Sequence, residues 1–354
     1  DVGAMYAGDG IMPIDASIKA AGPMGWSLHW ISGEPWFQWL LLGTGFLFAV
    51  GVVAGWQTRW MLLASFVLLA SIQTRNQAIL NGGDGMFRVM LFWSIFLPLG
   101  SVWSLDARRR TRRGHPPSLK PVVSVATFCF ILQLCLVYWF AGTAKLNDVW
   151  LGFDPDAVWS DPSSITWANF GGDAMQHAMH YDIYSKPAAT LLRDASGFLR
   201  LVCIGTLALE IFGPCLLFIP FGTRWIRMLI VVSFALLHIG IELTLHVGMF
   251  SWVSLAAWAA LLPPMFWESR LFSRLGRPSK MLEPTVPPND SATWGWTKFT
   301  MGNVVPAAIC TFLMTVTLAW NFSYNFSDKR EAGIDGVSPR ERIQKSLRPI
   351  VNAT

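Results

Sequence analysis

Long apolar runs separated by short polar segments fill most of the chain. A helix needs roughly 20 apolar residues, within a range of about 17–25, to cross the hydrocarbon core of a bilayer. Eight runs approach that length, at 36–55, 59–74, 86–103, 121–143, 199–220, 225–243, 246–265 and 303–320. The second is short enough to be tilted or partly interfacial. The sixth and seventh lie so close together that they form a tight hairpin. The pattern predicts an all-α, polytopic transmembrane helical bundle of about eight spans over residues 1–320, followed by a polar tail over 321–354. No repeat of fixed period and no low-complexity tract interrupts it.

Composition agrees. Of 354 residues, 53% are hydrophobic and 14% charged, against about 25% charged in an average soluble domain. So few charges cannot cover a water-facing surface, and lipid must take their place. The 19 Trp and 24 Phe suit the membrane–water interface. All five cysteines (Cys129, Cys135, Cys203, Cys215, Cys310) fall inside apolar runs, where they read as packing residues and offer no disulfide or metal framework.

Charge sets the orientation. The loop 104–120 holds six basic residues against one acid, the turn at Arg224 and Arg227 is basic, and the Pro-containing linker 266–302 carries an excess of Lys and Arg. By the positive-inside rule these face the cytoplasm. The long loop 145–198 has seven Asp against three basic residues and faces out. With eight spans the parity closes, leaving 1–35, 75–85, 145–198, 243–246 and the tail on the outer side. The net charge of +5 therefore reads as topology, with no nucleic-acid partner implied. The expected location is a bacterial plasma membrane, and there the sequons at Asn321 and Asn325 carry no meaning. The polar start at Asp1 reads as the remainder of a longer precursor with an earlier span, and the tail 321–354 as truncated.

Ionisable groups inside spans cost about 2.5–3.5 kcal/mol near a helix centre on insertion scales, so each asks for a reason. Lys145 ends the fourth run, with Gly142 and Ala144 leaving room beside it and Trp150 close behind. It is either a snorkelling lysine or a partly desolvated amine able to act as a base. His238, Glu242 and His246 stand at i, i+4 and i+8, on one helical face over about 12 Å. They form either a packing hydrogen-bond set or a proton relay. Metal binding is the weakest reading, because one helix face supplies at most two ligands and no HExxH occurs. Glu210, in mid-span, must be neutral or paired, with His238 or a lysine across the bundle as partner. In RNQAILNGGDGMFR, Asp84 and Arg88 are placed to pair across one helical turn, or to cap a helix start. Lys145, Asp84 and His246 all fall in the outer half of the membrane, and one outward-opening pocket accounts for that economically.

The segments NGGDGMFRVMLFWSIFLPLGSVWSLD, FAGTAKLNDVWLGFD, LALEIFGPCLLF and HIGIELTLHVGMFSWVSLA, in this order, resemble the horizontally transferred transmembrane domain family. Its best-known branch holds the vitamin K-dependent gamma-carboxylases. The resemblance runs from MYAGDG to the seventh span and implies a lyase- or epoxidase-like chemistry. Lys145 would deprotonate a reduced quinone, His238 would belong to the active region, and Glu210 would match an acidic residue. His238, Glu242 and His246 are then the catalytic partners of Lys145, with Asp84, Arg88, Trp150 and Glu210 in binding or support, a reduced vitamin K-like quinone as cofactor and no metal. The chain departs from the family pattern in two ways. Ala144 stands where the carboxylases have a second lysine, and no large extramembrane domain follows. A protein substrate or partner subunit is the further partner implied. The competing expectation is a non-enzymatic binder of lipid or quinone, or a subunit of a larger complex. A transporter, which would carry inverted repeats and broken helices, fits least.

Overall fold

The computed structural model describes residues 1–115, 124–153, 170–219, 223–263, 266, 308 and 311–316. The chain divides into two units, one of residues 1–121 and 130–289, the other of residues 122–129 and 290–354. In the second, Ser124 caps its own helical turn by accepting from the Thr127 amide at 3.2 Å, and Thr315 donates to the Thr311 carbonyl at 2.9 Å.

The regular elements among the first unit's described residues are helices. Two short helices, α1 (Val2–Tyr6) and α2 (Ile14–Ala21), precede α3 (Pro35–Ala54) and α4 (Thr58–Arg75). Then follow α5 (Gly82–Ser94), α6 (Leu105–Arg112) and α7 (Val125–Ala144), the last of which begins in the second unit. After the short α8 (Asp148–Leu151) and α9 (Ala174–His180) come α10 (Ser196–Leu216), α11 (Thr223–Thr244) and α12 (Phe250–Ala259).

Among the described residues, four helices are long and apolar enough to cross a membrane: α3, α7, α10 and α11. They correspond to the runs at 36–55, 121–143, 199–220 and 225–243. The run at 59–74 forms α4, 18 residues long, with Arg59 and Arg75 near its ends. Two runs make shorter helices than hydropathy predicts. In 86–103 the helix stops at Ser94, four residues before Pro98, and the chain continues as a 3-10 turn over Leu99–Ser101. In 246–265, Gly248 in the left-handed region delays the helix to Phe250, and it ends at Ala259, before Pro263. The run at 303–320 lies almost wholly outside the described residues.

Many large apolar side chains stand on the surface while several polar ones are buried. Trp36, Trp39, Phe46, Leu47 and Val53 of α3 stand exposed, as do Leu201 and Phe212 of α10 and Leu229, Leu236 and Leu243 of α11. Fully buried positions include Arg75, Asn76, Gln38, His29 and His238. An apolar exterior of this extent calls for lipid, and polar groups kept from that lipid must find partners inside the bundle. Much of the interior polarity ties the N-terminal segment to α4. Arg75 donates to the Met12 and Ala7 carbonyls at 2.7 and 2.6 Å, and Asn76 to the Met5 carbonyl at 2.8 Å. Ser17 donates to the Arg75 carbonyl at 2.7 Å while accepting from the Trp30 indole at 2.8 Å.

Two glycines allow the close approaches that position the polar residues. A side-chain carbon at Gly142 would lie 2.8 Å from Ile211 and 3.0 Å from the Glu210 Cβ, so α7 and α10 meet there with nothing between them. One at Gly83 would lie 2.7 Å from the Phe250 backbone, bringing the start of α5 against the start of α12. Near the end of α10, Pro214 lies inside the helix.

Candidate functional site

Lys145 follows the last residue of α7, its amide still donating to the Gly142 carbonyl at 3.0 Å. Its ammonium points inward. It lies 2.5 Å from the Glu210 carboxylate, with 24% of the lysine side chain and 8% of the glutamate side chain exposed. The amine also sits 5.3 Å from the centre of the Trp150 ring. Asn147 presents that ring by capping α8, accepting from the Trp150 amide at 3.3 Å. A carboxylate on one side and an aromatic face on the other hold the charge more firmly than headgroup snorkelling would. Of the two partners expected for Glu210, His238 or a lysine across the bundle, the structure provides the lysine.

Behind this pair the bundle is aromatic. Tyr138, two turns before Lys145 on α7, shares a 2.6 Å hydrogen bond with Nε2 of His238 on α11. Phe234 stacks on Trp258 at 4.0 Å, and Tyr138 packs 4.4 Å from Phe234 and 5.4 Å from Trp258. Among the described residues, two buried nitrogens here, His238 Nδ1 and Trp258 Nε1, have no hydrogen-bond partner. Buried polar atoms are rarely left so, and each asks for water or a ligand.

The remaining candidates divide. Glu242 turns from His238 to Lys186, which reaches it from a distant loop at 2.8 Å and also bonds its backbone carbonyl. That loop is held by the amide of Lys186 on the Thr244 carbonyl at 2.8 Å and by a bridge between Ser185 and Leu245. His246 does not extend the helical face of His238 and Glu242, because α11 ends at Thr244. Its amide is drawn to the Tyr184 carbonyl at 2.6 Å, and its side chain is exposed. Asp84 does not pair with Arg88. Its carboxylate accepts from the Asn81 amide at 2.9 Å in a capping box, the capping alternative for this segment. Among the described residues Arg88 forms no salt bridge.

Tyr138, Trp258 and Lys186 were not visible as site residues, the first two because they lie within apolar runs. A conspicuous signal existed only for Tyr138, one of just five tyrosines in a chain with 24 Phe. Among the described residues, no group of three or more His, Cys, Asp or Glu could hold a metal ion. Two cavities elsewhere in the first unit, of about 540 and 270 Å³, are lined by neither Lys145 nor Glu210. The smaller is almost wholly apolar, with His29 and Ser65 its polar members.

Outside the spans, burial lowers the His29 imidazole below its usual range. The Gln38 hydrogen bond, at 2.5 Å, opposes this, and the Arg75 charge adds to it.

The HTTM domain matches residues 26–267, more than half of the chain. No curated protein and no solved structure matches it.

Proposed function

The chain is an integral membrane protein that belongs to the HTTM domain family, and on that footing we propose that Lys145 and Glu210 form a membrane-embedded proton-transfer site for an apolar substrate with an acidic hydroxyl, a reduced quinone being the fitting class. One observation carries the reading: an amine and a carboxylate 2.5 Å apart, with the lysine side chain still about a quarter exposed. In a low-dielectric site the ion pair and its neutral form, amine plus carboxylic acid, lie close in energy. Passing its proton to Glu210 leaves Lys145 a free base, able to take the hydroxyl proton of a bound phenol-like ring. The surroundings suit such a ring. Trp150 lies against the amine, the Tyr138–Phe234–Trp258 cluster lies behind, and His238 Nδ1 and Trp258 Nε1 are unspent polar atoms. The Tyr138–His238 bond adds a second pair of proton-exchanging groups in the same unit.

The reading keeps the remaining apolar runs as spans. On this reading the pair lies in the outer half of a bacterial plasma membrane, since in sequence the arginine-rich loop precedes α7 and Lys145 follows it.

A second reading, binding of quinone or lipid without turnover, draws on the mutual satisfaction of Lys145 and Glu210, which makes a stable clamp between α7 and α10 without any substrate. Protein in lipid nanodiscs, given a short-chain reduced naphthoquinone under air, separates the two. Site-dependent oxygen uptake is expected, falling at least about a hundredfold in Lys145→Ala while Lys186→Ala retains it. Equal uptake by wild type and Lys145→Ala ends the catalytic reading, and retained quinone without turnover establishes the second.

A further inference from the structure

The larger cavity, of about 540 Å³, lies at the end of the first unit where α4 begins and α6 packs beneath the 3-10 turn Leu99–Ser101. Four arginines line it: Arg59 from α4 and Arg109, Arg110 and Arg113 from α6 and its end. Arg109 and Arg113 are four apart and share a helix face. None of the four enters a salt bridge among the described residues. Arg110 is aimed by a 2.6 Å bond to the Gly100 carbonyl, and Ser104 donates to the same oxygen at 2.7 Å.

The lining contains one acid, Asp106, and it is committed elsewhere. Its carboxylate accepts from the Thr58 amide and hydroxyl, both at 2.8 Å, and from the Gln57 amide at 2.9 Å. Burial would raise that carboxyl, but those bonds and the Arg109 charge hold it below its usual range. It therefore stays ionised as the cap of α4. The backbone is held under constraint on both sides. Gln57 and Trp103 are the two non-glycine residues with positive φ among those described, at 43° and 52°, and they flank this cavity. Such conformations persist only where the surrounding structure fixes them. Trp56, Trp103, Leu99 and Leu105, all near the rim, are exposed. Aromatic and apolar rims of this kind sit at headgroup depth in a bilayer.

We propose that this cavity is a binding site for the phosphate of an anionic phospholipid headgroup, held by Arg59, Arg109, Arg110 and Arg113. Guanidinium groups match phosphate oxygens two at a time, and several converge here without carboxylate partners. The apolar rim gives the acyl chains a route to the bilayer, which a soluble phosphate would not use. The site stands apart from Lys145 and does not depend on its chemistry.

Native mass spectrometry of the purified chain, titrated separately with phosphatidylglycerol, phosphatidylcholine and inorganic phosphate, tests this. The expected result is a saturable phosphatidylglycerol adduct, weakened at least about tenfold in Arg109→Gln/Arg113→Gln. In Arg108→Gln/Arg112→Gln, which removes the same charge from the same helix away from the cavity, the adduct is retained. Equal loss in both double variants overturns the proposal in favour of diffuse charge. Equal affinity for phosphatidylcholine overturns it as well, and so does saturation by inorganic phosphate without preference for phosphatidylglycerol. Circular dichroism of each variant confirms that the fold is kept, and a single variant, Arg59→Gln, provides a second measurement should the α6 changes disturb it.

Discussion

Arg75 and Lys145 are both cations drawn inward at the ends of helices, yet opposite kinds of partner hold them. Arg75 is fully buried and donates to the carbonyls of Ala7 and Met12. Lys145 is partly exposed and faces the carboxylate of Glu210. A carbonyl can accept a hydrogen bond but has no proton to exchange, so Arg75 can only fasten the N-terminal segment to α4. A carboxylate can trade a proton with its partner, and the proposed function rests on that difference. On that proposal the chemistry of the partner, more than depth of burial, separates an anchor from a reactive group.

The largest effect that would sharpen this contrast is expected at the anchor. Arg75→Met leaves two buried carbonyls without donors and should cost about 3 kcal/mol or more. Hydrogen exchange over residues 1–20 should rise, with quinone-dependent oxygen uptake unchanged. Loss of uptake with an intact N-terminal segment would reverse the roles assigned to the two cations.

Next comes the reactive pair. Lys145→Met and Glu210→Leu should each cost about 1–3 kcal/mol, the lower end reflecting the solvent that reaches the lysine. The double variant should recover most of that stability in a thermal unfolding series, because two apolar groups replace two charges, yet show no proton transfer. A double variant with wild-type turnover would reduce the pair to a clamp.

The smallest expected effect is a pH dependence. His29 is held neutral, chiefly by burial, so the unfolded chain binds a proton that the folded segment resists. Its stabilising contribution is complete above the ordinary histidine range, about 6.5, and is lost as pH falls below it. Limited proteolysis of the N-terminal segment should therefore quicken between pH 7 and 5, and His29→Gln should flatten the profile.

Much of the bundle was legible because span length and apolar content are averages over about 20 residues, and averages survive local detail. Glu210 and Lys145 were legible for the opposite reason: a charge inside an apolar run is a single expensive exception. What hydropathy could not register was backbone punctuation. Pro98 and Gly248 barely change a window average, yet the helices they bound are much shorter than the runs containing them. For the same reason His246 left the helical face its spacing suggested. Long-range partners were hidden as well. Nothing near Glu242 announces Lys186, which is 56 residues away in sequence, and the scarcity of tyrosine marks Tyr138 as unusual without naming His238 as its partner.

Pro214 lies four residues after Glu210 in α10. A proline has no amide hydrogen, so the rung that would normally close on the Glu210 carbonyl is missing. The only acid of that helix thus sits at a missing rung, where the backbone lacks one of the bonds that would stiffen it. On the proposed function, that local slack is where a ring entering beside Trp150 would be accommodated.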